Sequence, residues 1–148
     1  MGVLCWLPDL SEWADIIARF LKSNGIFYLL DGHPFSHVFE SEENRDGVQE
    51  LQVRHPYSKK NEGDFYEGGH PSYAGSGIIE AGCYEWQHSV GEILNAILDA
   101  GLQIQFFHEF ARSGYKAFPC MERDHDGWWR LTSHNDSVPQ LFSLRATK

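Results

Sequence analysis

The sequence predicts an open α/β sheet, and three features support that reading. Segments with helical and strand-like apolar periodicity alternate along the chain. Ile26–Leu30 is a continuous apolar run, the mark of a strand covered on both faces. Met1–Trp6 reads as the tail of another buried strand, with no nucleotide-binding βα unit ahead of it. Sheets of this class bind their ligands at the carboxyl ends of the strands. The half of such a sheet that holds a phosphate or nucleoside has no counterpart here. The chain is expected to be the second half of a larger fold.

Each element follows from local chemistry. Leu10, Trp13, Ile16, Ile17, Phe20 and Leu21 recur at helical spacing and predict a first helix. Asp9 caps it with Glu12 at the third helical position, and Asn24-Gly25 after Lys22 ends it. The strand opening this βαβ unit should be Met1–Cys5, with only its last residues present. Ser89 and Glu92 form a capping box for a second helix with the stripe Val90, Ile93, Leu94, Ile97 and Leu98, and Gly101 stops it. Leu102–Phe107 reads as a strand. Gln140–Ala146 is another, expected to pair antiparallel with it because a non-helical excursion joins them.

Two excursions interrupt this pattern. Residues 36–84 are rich in Gly, Glu, Asn and Pro, with strand-like pieces at Val48–Val53 and Gly77–Tyr84, and predict a lid or small added sheet. Residues 111–138 carry Trp128-Trp129 among charges and predict a folded loop. Neither breaks the chain into parts: 1–148 reads as one partial domain.

Composition narrows the function. At 148 residues with 42% hydrophobic content the chain is not disordered, and no apolar run is long enough to span a bilayer. A net charge of -9 argues against a nucleic-acid partner. Trp6 stands where a myristoylation motif wants Ser or Thr, and no basic stretch opens a secretory signal. Cys5, Cys83 and Cys120 lack CxxC spacing; they fit a reducing cytoplasm and the role of small buried hydrophobes.

Candidate site residues cluster at predicted strand and helix ends. His33 and Phe35 follow Ile26–Leu30 at its carboxyl end, as base and aromatic wall or as a turn histidine bonded to backbone. His88 precedes the second helix with Tyr84 and Trp86 just before it, either lining a pocket or stapling the helix entrance. Eight histidines raise a metal-hydrolase reading. His33/His37 and the group of His125, His134, Asp124 and Asp126 match no HExxH, CxxC or facial triad, so no metal is expected. Glu40, Glu42 and Glu43 read as a solvated face.

Several segments together carry a family resemblance. They are Gly2-Val3-Leu4-Cys5-Trp6-Leu7-Pro8-Asp9-Leu10, Trp13-Ala14, Asp31-Gly32-His33-Pro34-Phe35 and Tyr84-Glu85-Trp86-Gln87-His88-Ser89 with Gly91-Glu92-Ile93. Gly127-Trp128-Trp129-Arg130-Leu131 and the closing Phe142-Ser143-Leu144-Arg145-Ala146-Thr147-Lys148 complete the set. The chain resembles the carboxyl half of a class I S-adenosylmethionine-dependent methyltransferase of the small-molecule branch. The resemblance implies a Rossmann-like seven-stranded sheet with its last strand antiparallel. This chain would supply the end of the fourth strand and the fifth, sixth and seventh strands, with a lid-like insertion.

The resemblance also implies roles. Gly2, Val3 and Leu4 would pass beneath the methionine part of the cofactor, and Trp6 would face its sulfonium or simply fill the core at a helix entrance. His33 and His88 would act as catalytic imidazoles on a small-molecule methyl acceptor, with Phe35, Tyr84 and Trp86 binding it. The family's first strand, Gly-rich turn and ribose-binding acid have no counterpart in this sequence. The chain alone is therefore expected to bind S-adenosylmethionine weakly or not at all, and to need a complementary N-terminal fragment or to self-associate. A different class stays open: a non-catalytic module that binds a ligand or partner through the same fold.

Overall fold

The computed structural model describes residues 2–43, 49–58, 62–71 and 77–148. Helix α1 (Leu10–Phe20) is followed by strand β1 (Ile26–Gly32), and a short 3-10 turn (Pro34–Val38) leads to β2 (Phe39–Glu43) and β3 (Gln49–Val53). Then come β4 (Asp64–Tyr66), β5 (His70–Pro71), β6 (Ile78–Ile79) and β7 (Cys83–Glu85), helix α2 (Val90–Asp99) and β8 (Gln103–Phe110). Strands β9 (Arg112–Ser113), β10 (Glu122–Arg123) and β11 (Trp129–Arg130) precede β12 (Leu141–Thr147).

The main sheet has the order β1-β12-β8, antiparallel throughout. The expected pairing of the last strand with β8 is present, and the same strand also pairs with β1. Alternation along each strand sorts the faces. Phe27, Leu29 and Asp31 share a face with Ala146, Leu144 and Phe142, their register partners. On that face α1 and α2 pack against each other and against the sheet: Leu10, Ala14, Ile93, Ala96 and Ile97 close the core over Leu29, Phe142, Leu144 and Ala146. Trp13 meets Phe27 edge-on at 5.7 Å.

Both helix signals operate as read. The Asp9 carboxylate accepts from the N–H of Ser11 at 2.7 Å and of Glu12 at 3.2 Å. At α2 the Ser89 hydroxyl accepts from Glu92 N–H while Glu92 accepts from Ser89 N–H, a reciprocal capping box. Gly101 adopts φ +78, the left-handed stop. Burial pushes the Glu92 carboxyl up, but hydrogen bonds from Ser89 and Ser58, with help from His88, outweigh it and hold it below its ordinary value of 4.5. A depressed folded pKa means this carboxylate adds stability above its unfolded pKa and loses it as the pH falls through the lowered value. Glu92→Gln is expected to cost about 1 kcal/mol at neutral pH. Denaturant melts should show the gap between wild type and variant closing as the pH falls through the lowered pKa.

Three expectations need correction. Met1–Trp6 is not a strand end: Leu4–Trp6 forms a 3-10 turn, and Met1 lies outside the described residues. Among the described residues the segment has no strand beside it to pair with, and its N–H groups turn instead to the Asp31 carboxylate. Ile26–Leu30 is covered on one face only. Ile26, Tyr28 and Leu30 are 55%, 56% and 38% exposed, because both helices lie on the other face. In α1 the buried stripe is Leu10, Trp13, Ala14, Ile17 and Leu21, which leaves Ile16 and Phe20 exposed.

The excursions fold into small antiparallel pieces. Within 36–84 the strands pair as β2-β3, β4-β7 and β5-β6. The predicted piece Val48–Val53 corresponds to β3, Val48 lying outside the described residues, and Gly77–Tyr84 divides between β6 and β7. Residues 111–138 carry the sheet β10-β11-β9 and a second core of Phe118, Met121, Leu131 and Val138, joined by Phe39 and Leu51. Arg112 lies over Trp128 at 4.7 Å and Lys116 over Trp129 at 5.5 Å, which explains paired tryptophans among charges. Among the described residues no helix is long and apolar enough to cross a membrane.

Candidate functional site

The carboxyl end of β1 organises the site. Asp31 is buried, and its carboxylate accepts hydrogen bonds from Val3 N–H at 3.0 Å, Leu4 N–H at 3.1 Å and Gly32 N–H at 2.7 Å, and also from Gly2 N–H. One side chain thus fastens the segment before α1 to the sheet. The same segment is held from the other side. Trp86 N–H donates to Cys5 O at 2.8 Å, and His88 Nε2–H donates to Leu7 O at 2.7 Å.

His33 is buried and committed at both ring nitrogens. Its Nδ1 accepts from Phe35 N–H at 3.1 Å, capping the 3-10 turn 34–38, so the proton sits on Nε2 and is donated to Glu109 at 2.8 Å. Burial pushes its pKa below 6.5, with Glu109 offsetting only part of the shift. It meets Phe142 edge-on at 6.2 Å.

His37, one turn further on, differs. Its ring lies against Gly32, where an added Cβ would stand 3.3 Å from Nε2. It keeps solvent access, yet burial again lowers its pKa and the nearby His33 adds to this, against the pull of Asp31. A neutral imidazole at neutral pH results. In the sequence His37 stands out only as a metal partner of His33. Its spacing from His33 along a short turn was the available signal, but nothing local said which of the two would stay open.

Two adjoining cavities lie here, both bordered by Cys5, His37, Trp86 and Gln87. The smaller, about 30 Å³, also touches Gly2, Leu4, Asp31 and His88. The larger, about 260 Å³, reaches Asp64, Tyr66, Glu85, Tyr115 and Phe118. No lysine or arginine among the described residues borders either. The local field shows in the titrating groups. The Cys5 thiol is pushed up to about 12 by burial first and then by Glu85 and Asp31, so it is no nucleophile. Burial raises Glu85, and burial followed by Asp31, Cys5 and Glu85 raises Tyr115.

The remaining expected residues divide. Trp86 walls both cavities and its ring covers Gly63, where an added Cβ would approach within 2.8 Å. Tyr84 lies 6.0 Å from Trp86 and 5.0 Å from Phe65 on an exposed aromatic ladder. Phe35 packs on Phe39 at 5.3 Å and Tyr57 at 6.1 Å. Neither Tyr84 nor Phe35 borders the two cavities, and neither do Val3 and Trp6, which are exposed. Among the described residues no group of three or more His, Cys, Asp or Glu could hold a metal ion.

Cofactor fit can be tested directly. The N–H groups of Gly2, Val3 and Leu4 are all taken by Asp31. These residues do not form an S-adenosylmethionine site by themselves.

No family model matches the chain, and no curated protein matches it. Solved structures do. An S-adenosylmethionine-dependent methyltransferase from Mesorhizobium loti is 16% identical with a TM-score of 0.56, over 99% of this chain and 58% of that one. A candidate S-adenosylmethionine-dependent methyltransferase from Listeria monocytogenes is 17% identical with a TM-score of 0.58, over 99% of this chain and 57% of that one. At this identity the likeness is one of fold. The chain spans little more than half the length of these methyltransferases.

Proposed function

We propose that this chain is the acceptor-side portion of an S-adenosylmethionine-dependent methyltransferase acting on a small molecule. The cofactor's polar contacts come from a complementary segment. The observation that carries this reading is the pairing of a fold shared with part of two methyltransferase structures with an apolar sheet face left uncovered at Ile26, Tyr28 and Leu30. Ile16 and Phe20 of α1 extend the exposed apolar surface. Surfaces of this kind mark an interaction site.

In this reading Trp86 walls the acceptor pocket, and Tyr84 and Phe35 back it through their aromatic contacts. His33, which borders neither cavity, and His88 serve by positioning the pocket's walls, each through its Nε2–H bond to Glu109 or Leu7. His37 is the imidazole free to take a proton. Gly2, Val3, Leu4 and Trp6 form an edge that the cofactor meets only once the complementary segment is in place.

Calorimetric titration of the chain alone with S-adenosylmethionine is expected to give no micromolar binding; micromolar affinity would overturn the division of labour. In sedimentation the chain is expected to self-associate, and Tyr28→Lys with Leu30→Glu to return it to monomer. A wild-type chain that stays a monodisperse monomer at high concentration would overturn the uncovered-face argument. A second reading, a non-catalytic binding module, is favoured by one observation: the Gly2–Leu4 amides are spent on Asp31. Failure of methyl transfer with every complementary segment, alongside retained ligand binding, would decide for it.

A further inference from the structure

We propose that the larger cavity recognises a protonated amine on a small, partly apolar molecule, held by Glu85 and Gln87 against aromatic walls. The reading above enters only in making this molecule the acceptor. The ammonium is a recognition handle, whichever atom takes the methyl group.

Four observations converge. Strands β4 and β7 pair Asp64 with Glu85 in register, which puts two carboxylates on the cavity wall. Among the described residues Glu85 has no cationic partner and no lysine or arginine borders the cavity; the imidazoles of His37 and His55 do, and His55 is paired with Glu40, so the wall favours a cation over an anion. Gln87 borders the cavity, and its side-chain oxygen Oε1 is buried with no hydrogen-bond donor among the described residues, a deficiency that an N–H on the ligand would repair once the amide turns towards it. Trp86, Tyr66 and Tyr115 supply π faces of the kind that attract ammonium groups. The volume of about 260 Å³ lies at the small end for ligand cavities.

Burial of Glu85 strengthens the case. A desolvated carboxylate whose pKa is raised gains most from a cation that arrives with its own charge.

The test titrates the full chain with phenethylamine, 2-phenylethanol and 3-phenylpropionate, read by calorimetry and by amide chemical shifts. The amine is expected to bind at least about tenfold more tightly than the alcohol, and the carboxylate not measurably. Glu85→Gln is expected to weaken amine binding by about tenfold and alcohol binding by no more than about twofold. Gln87→Leu removes the orphaned acceptor without burying a charge. It is expected to fold at least as well as wild type and to weaken the amine several-fold, so it serves if Glu85→Gln does not fold. Amine and alcohol binding within about twofold of each other, no binding at all, or amine affinity unchanged in a folded variant would each overturn the proposal. None of these outcomes involves the cofactor, so the methyltransferase reading is decided separately by its own titration.

Discussion

Phe142→Ala is expected to lower the free energy of unfolding by about 3–5 kcal/mol. Phe142 has no exposed surface, sits in the central strand β12, stacks on Phe107 at 5.2 Å and braces the edge of His33. Truncation leaves a cavity between the sheet and α2 that the antiparallel pairing on both sides prevents from collapsing. Domains of this size are stable by only about 5–15 kcal/mol, so the variant should lie close to unfolding at 37 °C. Urea melts of wild type, Phe142→Ala and Phe142→Leu measure the effect, with leucine recovering more than half of the loss. A loss under about 1 kcal/mol would mean that the core is not centred on this strand.

Asp31→Ala is the second large effect, expected at about 3 kcal/mol, because four N–H donors lose one charged acceptor in a buried place. Here the loss has a distinct local signature. In hydrogen exchange the amides of Val3 and Leu4 should reach unprotected rates, while those of β1 and β12 stay protected relative to global unfolding. Unchanged exchange at Val3 and Leu4 would show that the clamp is not what holds the segment. The smaller cavity should widen at the same time, since Gly2 and Leu4 form part of its wall.

What the sequence revealed and what it concealed divide by distance along the chain. Asp9, Ser89, Glu92 and Gly101 act within one helical turn of themselves, so both helices and their ends were legible. Strand β12 was legible by the alternation of Leu141 and Ser143 with Phe142 and Leu144, and β8 as the run that follows the stop at Gly101. The conformation of Leu4–Trp6 was not, because its determinant is Asp31, far along the chain and brought close only by the fold. The commitment of His33 likewise depends on Glu109, and the openness of His37 on that commitment. The ribbons β4-β7 and β5-β6 are too short for periodicity to register, so the acidic wall at Asp64 and Glu85 had no signal. Ile26–Leu30 showed its apolar composition plainly, but composition does not say whether something covers both faces.

The order β1-β12-β8 has a consequence for how the protein is made. Among the described residues Gly32 finds its pairing partner in Leu141, and Ile26 in Thr147. On the ribosome, α1 and α2 can coil as they emerge, but β1 has no strand to pair with until β12 has been translated and has left the exit tunnel. At synthesis rates of about 5–20 residues per second, this leaves an apolar strand unpaired for several seconds of elongation. Closing so long a loop also makes the sheet slow to form by comparison with the helices. Nascent chains stalled before β12 should therefore be held by a chaperone that binds apolar strands, and released once β12 slides between β1 and β8.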